Sequence, residues 1–399
     1  MDDGTPNGGR GRNAASEMQR FRRALEGLLG ITATDGNRID ILRNGDEIFP
    51  AMLDAIRRST STIDFLTFVY WVGEIGEEWA HALADRAKAG VRVRVLLDAL
   101  GAYDMQEELI GMMKDAGVAV ERFRPVDKLR FWESDHRTHR KVLICDEDVA
   151  FTGGVGIADE WRGAARDPSE WRDTHFMVRG PAVDGLRAAF VQNWAESGHP
   201  LFEADVDRFP EQPTDGSVAV QVLRGSAGAG WSDMSSLFRA LLKLARDRVS
   251  ITTAYFVPDE ETSGLLCETS GRGVDVQVLV PGPHLDKRFV QLASESPIEP
   301  LLDAGVKVWA FPPTMLHAKT MLVDGLVANV GSANFDARSL LRDEEVNMVV
   351  FDTEFVAALE RDFAADVARS EPFDRERWSH RGPAQRVKEA AMGVFQERM

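Results

Sequence analysis

The sequence predicts an α/β protein built from two similar halves. Three observations carry that reading. The segment HRKVLICDEDVAFTGG at 139–154 returns as HAKTMLVDGLVANVGS at 317–332, in register at a constant offset of 178 residues. Gly-Val junctions, where a helix ends and a β-branched strand begins, recur ahead of each copy: 89–93 resembles 272–276, and 116–120 resembles 304–308. Apolar strand-like runs alternate with stretches of helical periodicity, which implies a mixed β-sheet flanked by helices.

The elements follow in chain order. Residues 1–37 read as a disordered or helical lead-in; the first of them are rich in Gly, Asn, Asp and Arg and hold no apolar core. Residues 38–205 form the first half. Within it TIDFLTFVYW (62–71) is a strand, 77–89 is helical, and a strand-like stretch carries the first copy of the repeat. Residues 206–216 are the linker, marked by turn formers and charges. Residues 217–370 form the second half, with RVSITTAYFVP (248–258) matching the first strand. Residues 371–399 read as a helical tail. Between the second Gly-Val strand and the repeat, the first half is ten residues longer, and the added stretch includes Asp127 to Trp132. That stretch reads as a surface loop or as a basic, aromatic lip beside the site.

Composition narrows the function. The chain has 399 residues, 47 Lys and Arg against 64 Asp and Glu, and a formal net charge of −17. A surface this acidic repels an extended polyanion, so nucleic acid is not an expected partner. Cys145 and Cys267 are the two cysteines, too few for a disulfide framework or a cysteine-rich metal centre. Charges interrupt every apolar stretch well before the ~20 residues a spanning helix needs. The expected compartment is the cytoplasm.

The repeated motif carries the chemistry. His139 and Lys141 are two residues apart on an extended stretch, so they share a face, and His317 and Lys319 do likewise. Two imidazoles and two ammonium groups meeting in one pocket suit a phosphodiester. The lysines hold the non-bridging oxygens, one neutral imidazole attacks phosphorus, and one protonated imidazole protonates the leaving alcohol. With that charge already supplied, no metal or other cofactor is expected. Gly153-Gly154 and Gly331-Ser332 offer backbone N–H groups and a hydroxyl to a phosphate oxygen, and Asn334 adds an amide. Asp173, 34 residues after His139, and Glu345, 28 after His317, are placed to accept from the second imidazole nitrogen and set the tautomer. Asp146 and Asp324 complete the motif, but their odd spacing points them away from the pocket, toward a role in anchoring a turn. His175 reads as a strand histidine. Tyr70 and Tyr255 occupy matching strand ends and either line the pocket or pack in the core.

On these residues the chain resembles the phospholipase D superfamily, whose hallmark is the duplicated HxKxxxxD motif, and within it the bacterial cardiolipin synthases. The likeness runs through 139–161, 171–183, 252–261 and 315–347 and spans about residues 38–398. It implies two phospholipase D-like halves packed pseudo-symmetrically around one site. It also implies catalysis by His139, Lys141 and Asp146 with His317, Lys319 and Asp324. The implied reaction is a two-step phosphatidyl transfer through a phosphohistidine on His139, with His317 as the acid. The implied substrate is an anionic phospholipid such as phosphatidylglycerol, met at the inner face of the cell membrane by a peripheral protein. Many members open with two transmembrane helices, which this chain does not show. Gly154 and Gly156 stand where the second copy keeps Ser332 and Asn334, so the half-sites are unequal. The competing expectations are a phospholipase D-type hydrolase, a nuclease, and an inactive scaffold.

Overall fold

A computed structural model describes residues 8–125, 136–200, 210–226, 232–285 and 298–373, with side chains from residue 14 onward. The stretch 127–132 and the tail from 374 lie outside the described residues.

The first half contributes β1 (Thr34–Arg43), β2 (Thr62–Thr67), β3 (Arg92–Asp98), β4 (Ala119–Phe123), β5 (Val142–Cys145), β6 (Val149–Gly153) and β7 (Thr174–Arg179). The second contributes β8 (Val218–Arg224), β9 (Arg248–Thr252), β10 (Phe256–Val257), β11 (Asp275–Pro281), β12 (Lys307–Phe311), β13 (Thr320–Val323), β14 (Val327–Gly331), β15 (Phe335–Asp336), β16 (Val346–Phe351) and β17 (Glu371–Pro372). Among the described residues, all but β10 and β15 join one fifteen-stranded sheet, ordered β17-β12-β11-β9-β13-β14-β16-β8-β1-β7-β6-β5-β2-β3-β4.

Read outward from its centre, that order is the same in both directions. β1-β7-β6-β5-β2-β3-β4 is repeated by β8-β16-β14-β13-β9-β11-β12, so the duplication in sequence is a duplication in topology. The two halves meet where β1 pairs antiparallel with β8. In each half the outer three strands run parallel, joined by helical crossovers, and the inner ones are antiparallel hairpins. The helices Ala182–Glu196 and Thr353–Val367 follow the equivalent strands β7 and β16. They cover the central strands through Leu186, Phe190, Val356 and Leu359.

The lead-in departs from the disordered alternative. A helix spans Gly8–Leu29, and its Phe21, Leu25 and Leu29 are buried in the core of the second half, against Leu237 and Leu241. Arg20 donates to Leu244 O, and Arg246 pairs with Glu17. The polar composition hid a three-residue apolar stripe at helical spacing, whose burial is worth several kcal/mol at about 2 kcal/mol per large side chain. The first strand starts at Thr34, four residues before the expected domain start.

Candidate active site

Each histidine of the repeated motif sits on an extended link just before a strand. His139 and Lys141 precede β5, and His317 and Lys319 precede β13. Each link is bridged in its backbone to the opposite half. Thr138 bridges to Glu344 and Arg172 to Leu316, both in parallel sense. His139 N donates to Glu344 O at 2.8 Å, and His317 N donates to Arg172 O at 2.7 Å. The return bonds, Glu344 N to Arg137 O and Arg172 N to Met315 O, are both 2.9 Å. The seam is therefore two-fold symmetric in its backbone bonding.

The same exchange sets the carboxylates. Sequence separation had placed Asp173 after His139 and Glu345 after His317. The structure pairs them the other way: His139 Nδ1 lies 3.0 Å from Glu345 Oε1, and His317 Nδ1 lies 2.8 Å from Asp173 Oδ2. Each acid is fully buried and held by different neighbours. Glu345 accepts from the hydroxyls of Ser332 and Ser339. Asp173 accepts from the Trp161 indole N–H at 2.9 Å and the Thr174 N–H at 2.7 Å. Trp161 thus does for Asp173 what the two hydroxyls do for Glu345. Gly154 takes the place of Ser332 because a Cβ there would lie 2.3 Å from Asp173 Oδ1.

The lysines are buried and drawn back. Lys141 Nζ donates to His139 O at 2.8 Å, with the Phe68 ring centroid 5.7 Å away. Lys319 Nζ lies 3.2 Å from His317 Nε2 and also donates to His317 O. The electrostatics follow from four cationic groups sharing a dry space. Burial pulls Lys141 down to about 7, with Glu345 opposing and Lys319 assisting. Burial and Lys319 bring His317 down to about 4 against the pull of Asp173. Burial also lowers His139, with Lys141 and Lys319 adding to the effect and Glu345 opposing it. Burial by itself would raise Asp173, but the bond from His317 and the nearby cations bring it to about 2. Glu345 is likewise held below the carboxylate range against burial, by His139 and Lys141.

The half-sites differ in access. The His139 side chain is 12% exposed and that of His317 is 7%. Lys319 faces Nε2 of His317, while no described residue bonds Nε2 of His139. An aromatic wall, which sequence reasoning missed, lines both. The Phe68 ring meets His139 edge-on at 5.2 Å, and Trp161 and Trp171 lie 5.1 and 5.6 Å from His317. Trp161 and Trp171 lie within segments the resemblance marked, but neither has a counterpart in the second copy of the repeat, which was the signal followed.

Several expected site residues play other parts. Gly153 and Gly331 are packing positions: a Cβ on Gly153 would lie 2.7 Å from Thr174 O, and one on Gly331 would lie 2.3 Å from Val346 O. They let β6 and β14 press against β7 and β16, the strands that Asp173 and Glu345 immediately precede. The N–H groups of Gly154 and Ser332 bond to Thr174 O and Val346 O, so they are not open to a phosphate. The Ser332 hydroxyl is committed to Glu345. Asn334 is buried with its side-chain oxygen unpartnered, an acceptor and not a donor to phosphate. Tyr70 is in the core, donating to Gly76 O at 2.6 Å.

Asp146 and Asp324 anchor backbone away from the imidazoles, in line with their odd spacing and not with the catalytic part the resemblance implies. Each lies in the left-handed region (φ 53° and 55°) at the tip of the hairpin after its lysine. Asp146 accepts from the N–H groups of Thr60, Ser61 and Thr62, and Asp324 from those of Arg246, Asp247 and Arg248. They tie down the entries to β2 and β9. Asp324→Asn, which keeps the backbone conformation, is expected to cost about 1–2 kcal/mol in urea unfolding. Turnover per folded molecule should stay within a few-fold. A hundredfold loss of turnover at unchanged stability would return the aspartate to the chemistry.

A duplicated sheet that closes two imidazole–carboxylate pairs across one seam defines the phospholipase D class of folds and sites. The profile described as "Cardiolipin synthase, PLD-like domain" matches residues 52–160 and 238–367, and the chain belongs to that family. It is 34% identical over 353 residues to a cardiolipin synthase of Geobacillus sp. (strain WCH70), covering 88% of this chain and 70% of the relative. It is 33% identical over 374 residues to cardiolipin synthase 1 of Bacillus anthracis, covering 92% and 73%. Among solved structures, phosphatidylserine synthase of Haemophilus influenzae Rd KW20 superposes with a TM-score of 0.72 at 14% identity, over 95% of this chain and 98% of that one. That likeness is one of fold.

Proposed function

We propose that the chain is a phosphatidyltransferase of cardiolipin synthase type, acting on phosphatidylglycerol or a similar anionic phospholipid at the inner face of the cell membrane. The exchanged imidazole–carboxylate pairs carry this reading, since each sets an acid at Nδ1 and favours the Nδ1–H tautomer, leaving Nε2 of His139 unengaged and Nε2 of His317 beside Lys319. Lys141 and Lys319 hold the non-bridging oxygens. His139, the more exposed imidazole with an unengaged Nε2, attacks phosphorus. The new N–P bond forms as the P–O bond to glycerol breaks, and His317 Nε2–H protonates the departing oxygen. The phosphodiester anion between the lysines offsets their charge and raises His317 toward its protonated form. In the second step an acceptor hydroxyl gives its proton to His317 and displaces His139 from phosphorus. The tryptophan wall around His317 limits water at that step, which supports transfer over the hydrolase alternative.

The test is lipid analysis after incubation with phosphatidylglycerol vesicles. Cardiolipin and glycerol in equal amounts are expected. Phosphatidic acid without cardiolipin would leave a phospholipase D-type hydrolase and end the transferase reading.

A further inference from the structure

Five large apolar side chains are strongly exposed among the described residues: Leu28, Val72, Leu100, Tyr103 and Leu341. Their placement is uneven. Val72 sits on the loop after β2, and Leu100 and Tyr103 sit on the loop after β3. β2 and β3 are parallel, so both loops leave the sheet on the same side, the side on which His139 and Lys141 enter β5 beside the end of β2. The loops are fastened together, with Trp71 Nε1 donating to Gly101 O at 3.2 Å. They are also continuous with the catalytic wall: Phe68 packs on His139, and Trp71 packs on Trp161 and Trp171, which flank His317. Leu341 ends the short helix whose Ser339 holds Glu345. Four of the five therefore border the site, and Leu28 alone lies on the N-terminal helix.

From this arrangement we infer that Val72, Leu100 and Tyr103 form an apolar rim that inserts into the surface of a lipid bilayer and sets the catalytic cup over a headgroup. The inference rests on the phosphatidyltransferase reading. A phosphodiester attached to two acyl chains reaches imidazoles this buried only if the bilayer surface comes up to the mouth. The groups at the mouth must then meet lipid. Tyr103, 75% exposed, has the apolar body and polar tip that favour the interfacial zone. The rim's charged neighbours Glu74, Glu77 and Asp104 are exposed acids, and Arg162 beside them is ion-paired to Glu74. Anionic lipid is therefore no attraction here, and the rim binds by burial of apolar surface, not by charge.

The experiment is co-sedimentation of the full chain with phosphatidylcholine vesicles, and with vesicles containing phosphatidylglycerol, at low and high salt. Neither measurement needs turnover, so membrane docking can stand or fall apart from the reaction. Wild type is expected to bind both kinds of vesicle, with little effect of salt. The triple variant Val72→Ser, Leu100→Ser, Tyr103→Ser should partition about tenfold more weakly or worse. It should keep wild-type activity on short-chain phosphatidylglycerol below its micelle concentration. Leu28→Ser, an exposed apolar position away from the rim, should bind like wild type. Any of three results overturns the inference: sedimentation of the triple variant like wild type; binding that requires phosphatidylglycerol and vanishes in salt; or a changed oligomeric state of the variant in gel filtration while vesicle binding holds, which would make the rim a self-association face.

Discussion

His139→Ala and His317→Ala are each expected to lower turnover of phosphatidylglycerol by a factor of about 10⁴ or more, because each removes a group that the proposed mechanism uses to make or break a bond to phosphorus. The two losses differ in kind. A phosphodiester with a p-nitrophenyl leaving group needs no proton as it departs. On that substrate His317→Ala releases a burst of nitrophenol as the first step forms the covalent adduct, and His139→Ala releases none. The measurement is rapid-mixing absorbance, with trapping of an alkali-stable, acid-labile phosphoprotein. The reverse pattern would exchange the two roles. Near-normal turnover in either variant would refute the two-histidine mechanism.

Glu345→Gln and Asp173→Asn should each reduce turnover by about 10²–10⁴, since an amide orients the wrong imidazole tautomer and removes the charge that balances an imidazolium. The exchange across the seam fixes which variant resembles which. Glu345→Gln should behave like His139→Ala and stay inactive on the p-nitrophenyl substrate, while Asp173→Asn should recover with it as His317→Ala does. In a double-mutant cycle, Glu345 should couple to His139 and Asp173 to His317. Coupling within each half, Asp173 with His139 and Glu345 with His317, would contradict the observed hydrogen bonds.

The duplication was legible because it is written in residue types that do not drift freely: a histidine, a lysine and an aspartate at fixed spacing, followed by a glycine that must lie against the next strand. Topology followed from the same regularity, since the Gly-Val junctions at 90–91 and 273–274 open the equivalent strands β3 and β11. The exchange of carboxylates was not legible. Separation along a chain ranks near neighbours first, whereas Asp173 and His317 are joined only by the seam bridges at Arg172 and Leu316. The helix Gly8–Leu29 was hidden because Phe21, Leu25 and Leu29 are diluted by charge, and only the tertiary contact shows what they cover. The glycines of the motif were read as N–H donors to a phosphate, but the structure uses their lack of a side chain.

The backbone bridges that lock each histidine to the opposite half make the site fail as a unit. A displacement of the halves by about the length of one hydrogen bond would break both imidazole–acid pairs at once, since each pair spans the same seam. In the proposed mechanism, a slip along the seam thus disarms the nucleophile and the acid together.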